Sequence, residues 1–244
     1  MVDGQNQESE ATAVMDNHTE AAQVIDWQLL EWRMTGETIR GNSHLRDGRP
    51  NQDAILQIRE SGIYAPVILS ISDGHGSHKC FRSDRGSHIA VTLSAILMRE
   101  LLSSKPVDSD IERVVKETFP VEFVRRWQAA VSLDIKDEPF SQEELAQLEE
   151  KDSPQARQTV EAYPLLAYGA TSLTVALTGS LVIYAQLGDG EIICVSETGE
   201  VSKPLFEDDR LIANETTSLC TETAAQDFRI ACQSFTQASI CTWK

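Results

Sequence analysis

Apolar residues fall along this chain in blocks of different period. The first block is strand-like: residues 54–58 and 65–72 are short apolar runs, joined by a turn at Ser61-Gly62. A helical period follows over residues 88–102, where Ile89, Leu93, Ile96, Leu97 and Leu101 share one side and Ser87 stands as N-cap. Residues 110–133 repeat it with Ile111, Val114, Val115, Phe123, Trp127 and Val131, and Pro120 must kink or divide that helix. Strand patterning returns at residues 169–177, 180–187 and 191–196, with turns at Thr178-Gly179, Gly188-Asp189-Gly190 and Thr198-Gly199. These three runs read as an antiparallel meander. Strands, then helices, then strands predict an α+β layered fold, not alternating βαβ units.

Between these blocks the pattern is weaker. Short alternating stretches over residues 27–39 predict a first strand, and the turn formers of residues 41–51 predict a loop. Residues 134–152 are acidic, with Lys136 and Lys151 as their cations, and read as a solvated insertion or short surface helix. Residues 1–23 are polar and acidic without periodicity, a disordered tail preceding one domain over residues 24–244. Trp27, Trp32 and Trp127 read as packing residues.

Composition narrows the function classes. The chain is 41% hydrophobic and 24% charged, as in soluble globular proteins. Its 38 acids against 21 bases give a formal charge of −17, which argues against nucleic acid or an anionic membrane as the main partner. No apolar run reaches membrane-helix length. The first basic residue is Arg33, so no signal peptide is expected. The five widely spaced cysteines (80, 194, 220, 232, 241) fit reduced thiols in a cytoplasmic protein better than a disulfide framework or zinc site. Charge is uneven: residues 40–88 hold seven Lys/Arg against five acids and four of the five histidines. That balance suits an anion such as phosphate, although chance clustering on a solvated surface accounts for it too.

Chemistry concentrates at the end of the second strand, in Ser72-Asp73-Gly74-His75-Gly76. A rigid strand would hold Asp73 in place as a two-oxygen ligand for a cation. Gly74 lets a backbone carbonyl approach the same ion, and His75 stands next to it to move a proton. An ordinary Asp-Gly turn closing a strand is the other reading of these residues.

Further segments add to this one: Gly41-Asn42-Ser43-His44, Gly48-Arg49-Pro50-Asn51-Gln52-Asp53-Ala54, Arg82-Ser83-Asp84-Arg85-Gly86, Gly169-Ala170-Thr171 and Gln186-Leu187-Gly188-Asp189-Gly190. In this order they resemble the metal-dependent protein serine/threonine phosphatases of type 2C, in their bacterial branch, over residues 27–236. The resemblance implies a sandwich of two antiparallel β-sheets flanked by helices, in four αββα layers, with two Mn²⁺ or Mg²⁺ ions at one end. It implies that Asp73 bridges the ions, that the Gly74 carbonyl binds one, that Asp53 supports the site, and that Asp189 attends a third, weaker ion. It makes His75 the general acid for the leaving alcohol and phosphoserine or phosphothreonine in proteins the substrate. All-oxygen ligands suit such hard cations.

The sequence departs from that family in three places. Gln52 stands where many members carry glutamate, so one acid is missing. Gly48 stands where better-known members carry a phosphate-gripping arginine, leaving Arg49, Arg46 and His44 as substitutes. Members also continue past the segment similar to Asp227-Phe228-Arg229 into a strand with a second metal-binding Asp-Gly. Here no acid follows Asp227. The expectation is therefore a truncated or frameshifted chain lacking its last strands, with weak metal binding and low or no turnover. A catalytically inactive relative that binds a phosphoprotein or regulatory partner is the competing reading, and an unrelated α+β interaction protein is a third.

Overall fold

Ile58, Ile68, Ala176, Ile183 and Cys232 stand in register across five neighbouring strands. They form one apolar row of a sheet, and helices cover it. The computed structural model describes residues 33–59, 66–103, 108–179, 181–208, 216–234 and 239–243, with residues 108, 109 and 239–243 described by backbone alone. These belong to one unit spanning residues 32–244; the acidic tail, Trp27 and the Ser61-Gly62 turn lie outside the described residues.

The five strands are β1 (Ala54–Arg59), β2 (Val67–Ser72), β3 (Ser172–Leu177), β4 (Leu181–Leu187) and, beyond β5 and β6, β7 (Arg229–Ser234). Their order is β1-β2-β3-β4-β7, every neighbour antiparallel. A second antiparallel sheet has the order β6-β5-β8, built from β5 (Ile192–Ser196), β6 (Val201–Ser202) and β8 (Ser239–Trp243). Neither sheet closes on itself. On the face of the first sheet away from the helices, Leu69, Val175 and Tyr184 align and are buried. The Tyr184 hydroxyl reaches Cys194 Sγ of β5 at 3.2 Å, so the second sheet meets this face. β3 is buried along its whole length, Ser172 and Thr174 included.

The helical layer consists of α2 (Ser83–Ser103), which lies on β1–β3, and the thirty-residue α3 (Asp108–Asp137) packed on α2. The short α1 (Asn42–Asp47), α4 (Gln142–Lys151) and α5 (Pro154–Ala162) complete the helices. Small polar residues let α2 approach β2: Ser70 Oγ and Ser94 Oγ are 2.6 Å apart, and Ser70 also meets Thr174 at 3.2 Å. Gly86 of α2 runs so close to the 3-10 turn Pro164–Tyr168 that a Cβ there would stand 1.9 Å from the Tyr168 carbonyl oxygen. Trp127, fully buried on α3, donates Nε1–H to the Gly86 carbonyl at 3.0 Å. Trp127→Phe leaves that carbonyl unpaired, for an expected loss of about 1–3 kcal/mol. Thermal unfolding should fall by about 2–10 °C; an unchanged Tm would contradict the packing described here.

Several expectations change. The first long helix starts four residues before Ser87, which is buried inside it and bonds back to the Asp84 carbonyl. Pro120 does not divide α3. Residues 41–51 include α1 with its left-handed cap at Gly48. Residues 33–39 form no strand. The three C-terminal runs are no single meander: the Gly188-Asp189-Gly190 turn carries the chain from the first sheet to the second, and β7 takes the place beside β4. Gly188 makes that change of direction at φ +109°. Residues 239–243, beyond the segment that carries the resemblance to the family, pair with β5.

Candidate active site

β2 ends at Ser72, and the residues after it are fastened almost atom by atom. Asp73 N–H donates to Thr171 Oγ1 (3.0 Å), and the Asp73 carbonyl accepts from Thr171 N–H (2.9 Å). Gly74 N–H donates to the Gln52 carbonyl (3.1 Å) and His75 N–H to the Gly169 carbonyl (3.0 Å). The His75 carbonyl accepts from Ser83 Oγ (3.0 Å) and Gln52 Nε2 (3.3 Å); the Gly76 carbonyl accepts from Arg49 Nη1 (2.8 Å). One acceptor in this turn receives no hydrogen bond from the described residues, the carbonyl of the buried Gly74. A side chain at Gly74 has no room, since a Cβ would lie 2.5 Å from the Gln52 carbonyl oxygen and 2.7 Å from that of Ser83.

Asp73 lines a cleft of about 550 Å³ together with Asp53 from the start of β1 and Asp189 from the sheet-crossing turn. Thr171 and residues 35–38, including Glu37, form its other walls, and among the described residues no Lys, Arg or His lines it. Asp73 is exposed toward the cleft mouth, yet protein crowds its remaining sides. Its carboxyl is pushed up to about 7, first by burial, then by the charge and hydrogen bonding of Asp53, then by Asp189. Thr216 Oγ1 donates to Asp189 Oδ1 (3.0 Å), Thr217 Oγ1 accepts from Gly188 N–H (2.8 Å), and Arg229 Nη2 holds the Gly188 carbonyl (3.0 Å).

The other candidates stand around this cleft rather than in it. The His75 ring lies against Gly169; burial lowers its pKa, and the field of Asp189 opposes that shift. Arg49 lines a second cavity of about 260 Å³ with Gln52, Ser77, His78 and Lys151, and pairs with Asp47 at 3.2 Å. His44 lies on α1 and lines neither cavity. Cys80 is buried beneath the turn with its thiol pushed up to about 12, by burial first and by Cys220 second, which makes it a poor nucleophile.

The donor chemistry suits a hard divalent cation: four carboxylates, Glu37, Asp53, Asp73 and Asp189, line one cleft with no neutralising base among the described residues, beside a glycine carbonyl left open. Among the described residues, no three His, Cys, Asp or Glu side chains already surround a single point at ligand distance. Sequence reasoning missed Thr171, Ser83, Thr216 and Thr217 as the fasteners of Asp73 and Asp189. Thr171 and Ser83 lie in segments that carried the resemblance; Thr216 and Thr217 sit in a region without a signal.

A protein phosphatase 2C family model matches residues 40–242. Among solved structures, the S. agalactiae serine/threonine phosphatase is 16% identical, with TM-score 0.47, over 80% of this chain and 72% of that one. The Mycobacterium tuberculosis serine/threonine phosphatase PstP/Ppp is 14% identical, with TM-score 0.43, over 79% and 70%. A catalytic domain of PstP in complex with two manganese ions is 13% identical, with TM-score 0.43, over 86% and 74%. No curated protein matches this chain.

Proposed function

This chain belongs to the protein phosphatase 2C family, and on that premise we propose that it hydrolyses phosphoserine and phosphothreonine in proteins with Mn²⁺ or Mg²⁺ as cofactor. The observation that carries this reading is the cleft of Asp53, Asp73 and Asp189 with no base among its described lining residues. Such a cleft repels a phosphate dianion unless divalent ions neutralise it first. Asp73 and Asp53 would hold the ions with the Gly74 carbonyl, and Asp189 would attend a weaker one. When bound, an ion of this kind supplies Lewis-acid polarisation of a phosphoryl oxygen and activation of water.

The chain's own residues do the rest. Thr171 and Gln52 keep Asp73 and Gly74 aimed by their main-chain hydrogen bonds. His75, beside the cleft and in the field of Asp189, delivers a ring-nitrogen proton to the departing serine or threonine oxygen. Arg49, whose guanidinium holds the Gly76 carbonyl, or His44 grips the phosphate or its peptide. The free thiols at Cys80, Cys220 and Cys232 support a reducing, cytoplasmic setting.

A second reading, a non-catalytic phosphoprotein-binding relative, is favoured by the lack of three side chains at ligand distance around one point among the described residues. Substrate comparison tests the first. Phosphate release from phosphoserine and phosphothreonine peptides is expected with Mn²⁺ near millimolar concentration and is abolished by chelator. Release from phosphotyrosine peptides should be at least tenfold slower. Equal rates on all three would contradict the proposed substrate class.

A further inference from the structure

Gln52 reads in the sequence as a lost acid, but its surroundings ask for a donor. It is 2% exposed at the entry to β1. Its Nε2 donates to Ser83 Oγ at 2.6 Å and to the His75 carbonyl at 3.3 Å, while Ser83 Oγ donates to that same carbonyl at 3.0 Å. Since the Ser83 proton goes to the His75 carbonyl, its oxygen must accept from Gln52, which fixes the amide with nitrogen inward. A carboxylate here would face a carbonyl oxygen and a hydroxyl already committed elsewhere. Among the described residues Oε1 has no hydrogen-bond partner. The main-chain carbonyl of the same residue receives Gly74 N–H at 3.1 Å. Gln52 thus brackets Gly74, holding the N–H of that residue and the carbonyl of the next.

We propose that Gln52 is a positioning residue, a two-point clamp that keeps the Gly74 carbonyl open and turned as a ligand while it anchors His75. The consequence for metal binding and turnover rests on the phosphatase reading above; the clamp itself is a property of the metal-free chain. Gln52→Glu keeps the shape and removes the donor, and Gln52→Met removes both the donor and the orphaned oxygen. Ser83→Ala is the milder third variant, which loses one of the two bonds on the His75 carbonyl and should fold where the others do not.

The experiment measures amide hydrogen exchange at residues 73–76 of the full metal-free chain, then Mn²⁺ affinity by direct titration. The expected result is exchange at Gly74 and His75 at least tenfold faster in the variants, with β3 and β4 unchanged. Mn²⁺ binding should weaken about 10–100-fold, and Ser83→Ala should move both in the same direction by less. Parental exchange at Gly74 and His75 in all three variants overturns the proposal, as does a uniform rise across β1–β4, which marks a merely structural role. If the parent itself binds no Mn²⁺, the phosphatase reading fails, and the exchange comparison still decides the clamp.

Discussion

Arg82→Met lowers the unfolding free energy by about 3–5 kcal/mol and Tm by about 10 °C. Arg82 is 4% exposed, and its guanidinium is fully engaged. Nε and Nη2 form a fork on Glu144 at 2.8 and 2.9 Å; Nη1 reaches the Glu138 carbonyl at 2.6 Å and Tyr168 Oη at 2.9 Å; Nη2 also reaches the Pro139 carbonyl at 3.2 Å. The Phe140 ring lies 4.9 Å from the guanidinium carbon, and Tyr168 passes the chain on to Asp134 Oδ2 at 2.5 Å. One side chain therefore joins the start of α2 to the end of α3, to α4 and to the turn before β3. Burial alone would lower its pKa, but the hydrogen bonds it donates to Glu144 and Tyr168 outweigh this and raise it.

Methionine keeps most of the volume but takes the guanidinium donors away from the Glu144 carboxylate and from two carbonyls, which sets the size of the loss. The pH dependence follows from Glu144. Burial pushes its carboxyl up, and the hydrogen bonds from Arg82 and Ser141 more than reverse that, so its folded pKa is lowered. A lowered pKa stabilises the fold above the ordinary glutamate range, and the benefit disappears as pH falls through the folded value. The gap in Tm between parent and variant should therefore narrow in acid, below about pH 4. Circular dichroism melts at neutral and acidic pH check this; a neutral-pH loss under about 2 °C would contradict the network's role.

The second large effect is on chemistry. Asp73→Asn is expected to cut metal-dependent kcat/KM at least about 100-fold, since even partners one step behind a metal ligand are worth about 10–100-fold. The fold should not suffer. Asp73 is crowded by burial and by the charges of Asp53 and Asp189, so removing its charge relieves repulsion, and the metal-free variant should melt at or above the parental temperature. Loss of turnover with Tm retained separates a missing ligand from a missing fold.

The parts of this protein that can be read from the sequence are those set by local pattern. The run of β2, apolar except at Ser70 and Ser72 and ending before Asp73-Gly74, places the carboxylate correctly because a strand buried on both faces carries no charge along its length. Tertiary contacts hide the rest. α2 begins at Ser83 because Arg82 and the close approach of Gly86 to Tyr168 lock its first turn, whereas the apolar period starts only at Ile89. The acidic stretch around α4 looks solvated, yet Glu144 caps that helix with Ser141 while it pairs with Arg82. Turn chemistry at Gly188-Asp189-Gly190 fits a hairpin equally well, and nothing local says that the chain changes sheets there. Of the candidate site, Asp53, Asp73 and Asp189 share one cleft, whereas Arg49 and His44 lie outside it. Gln52 is legible in the sequence as a departure from the family pattern, whereas its bonds to the Ser83 hydroxyl and the His75 carbonyl exist only in the fold.

The measurement that tests this account most directly is p-nitrophenyl phosphate hydrolysis across a Mn²⁺ titration, with the parent chain beside Asp73→Asn. The account predicts turnover that rises with Mn²⁺, saturates well above micromolar concentration and is lost in the variant. A folded parent with no turnover at any Mn²⁺ concentration, or a variant that matches the parent, would contradict it.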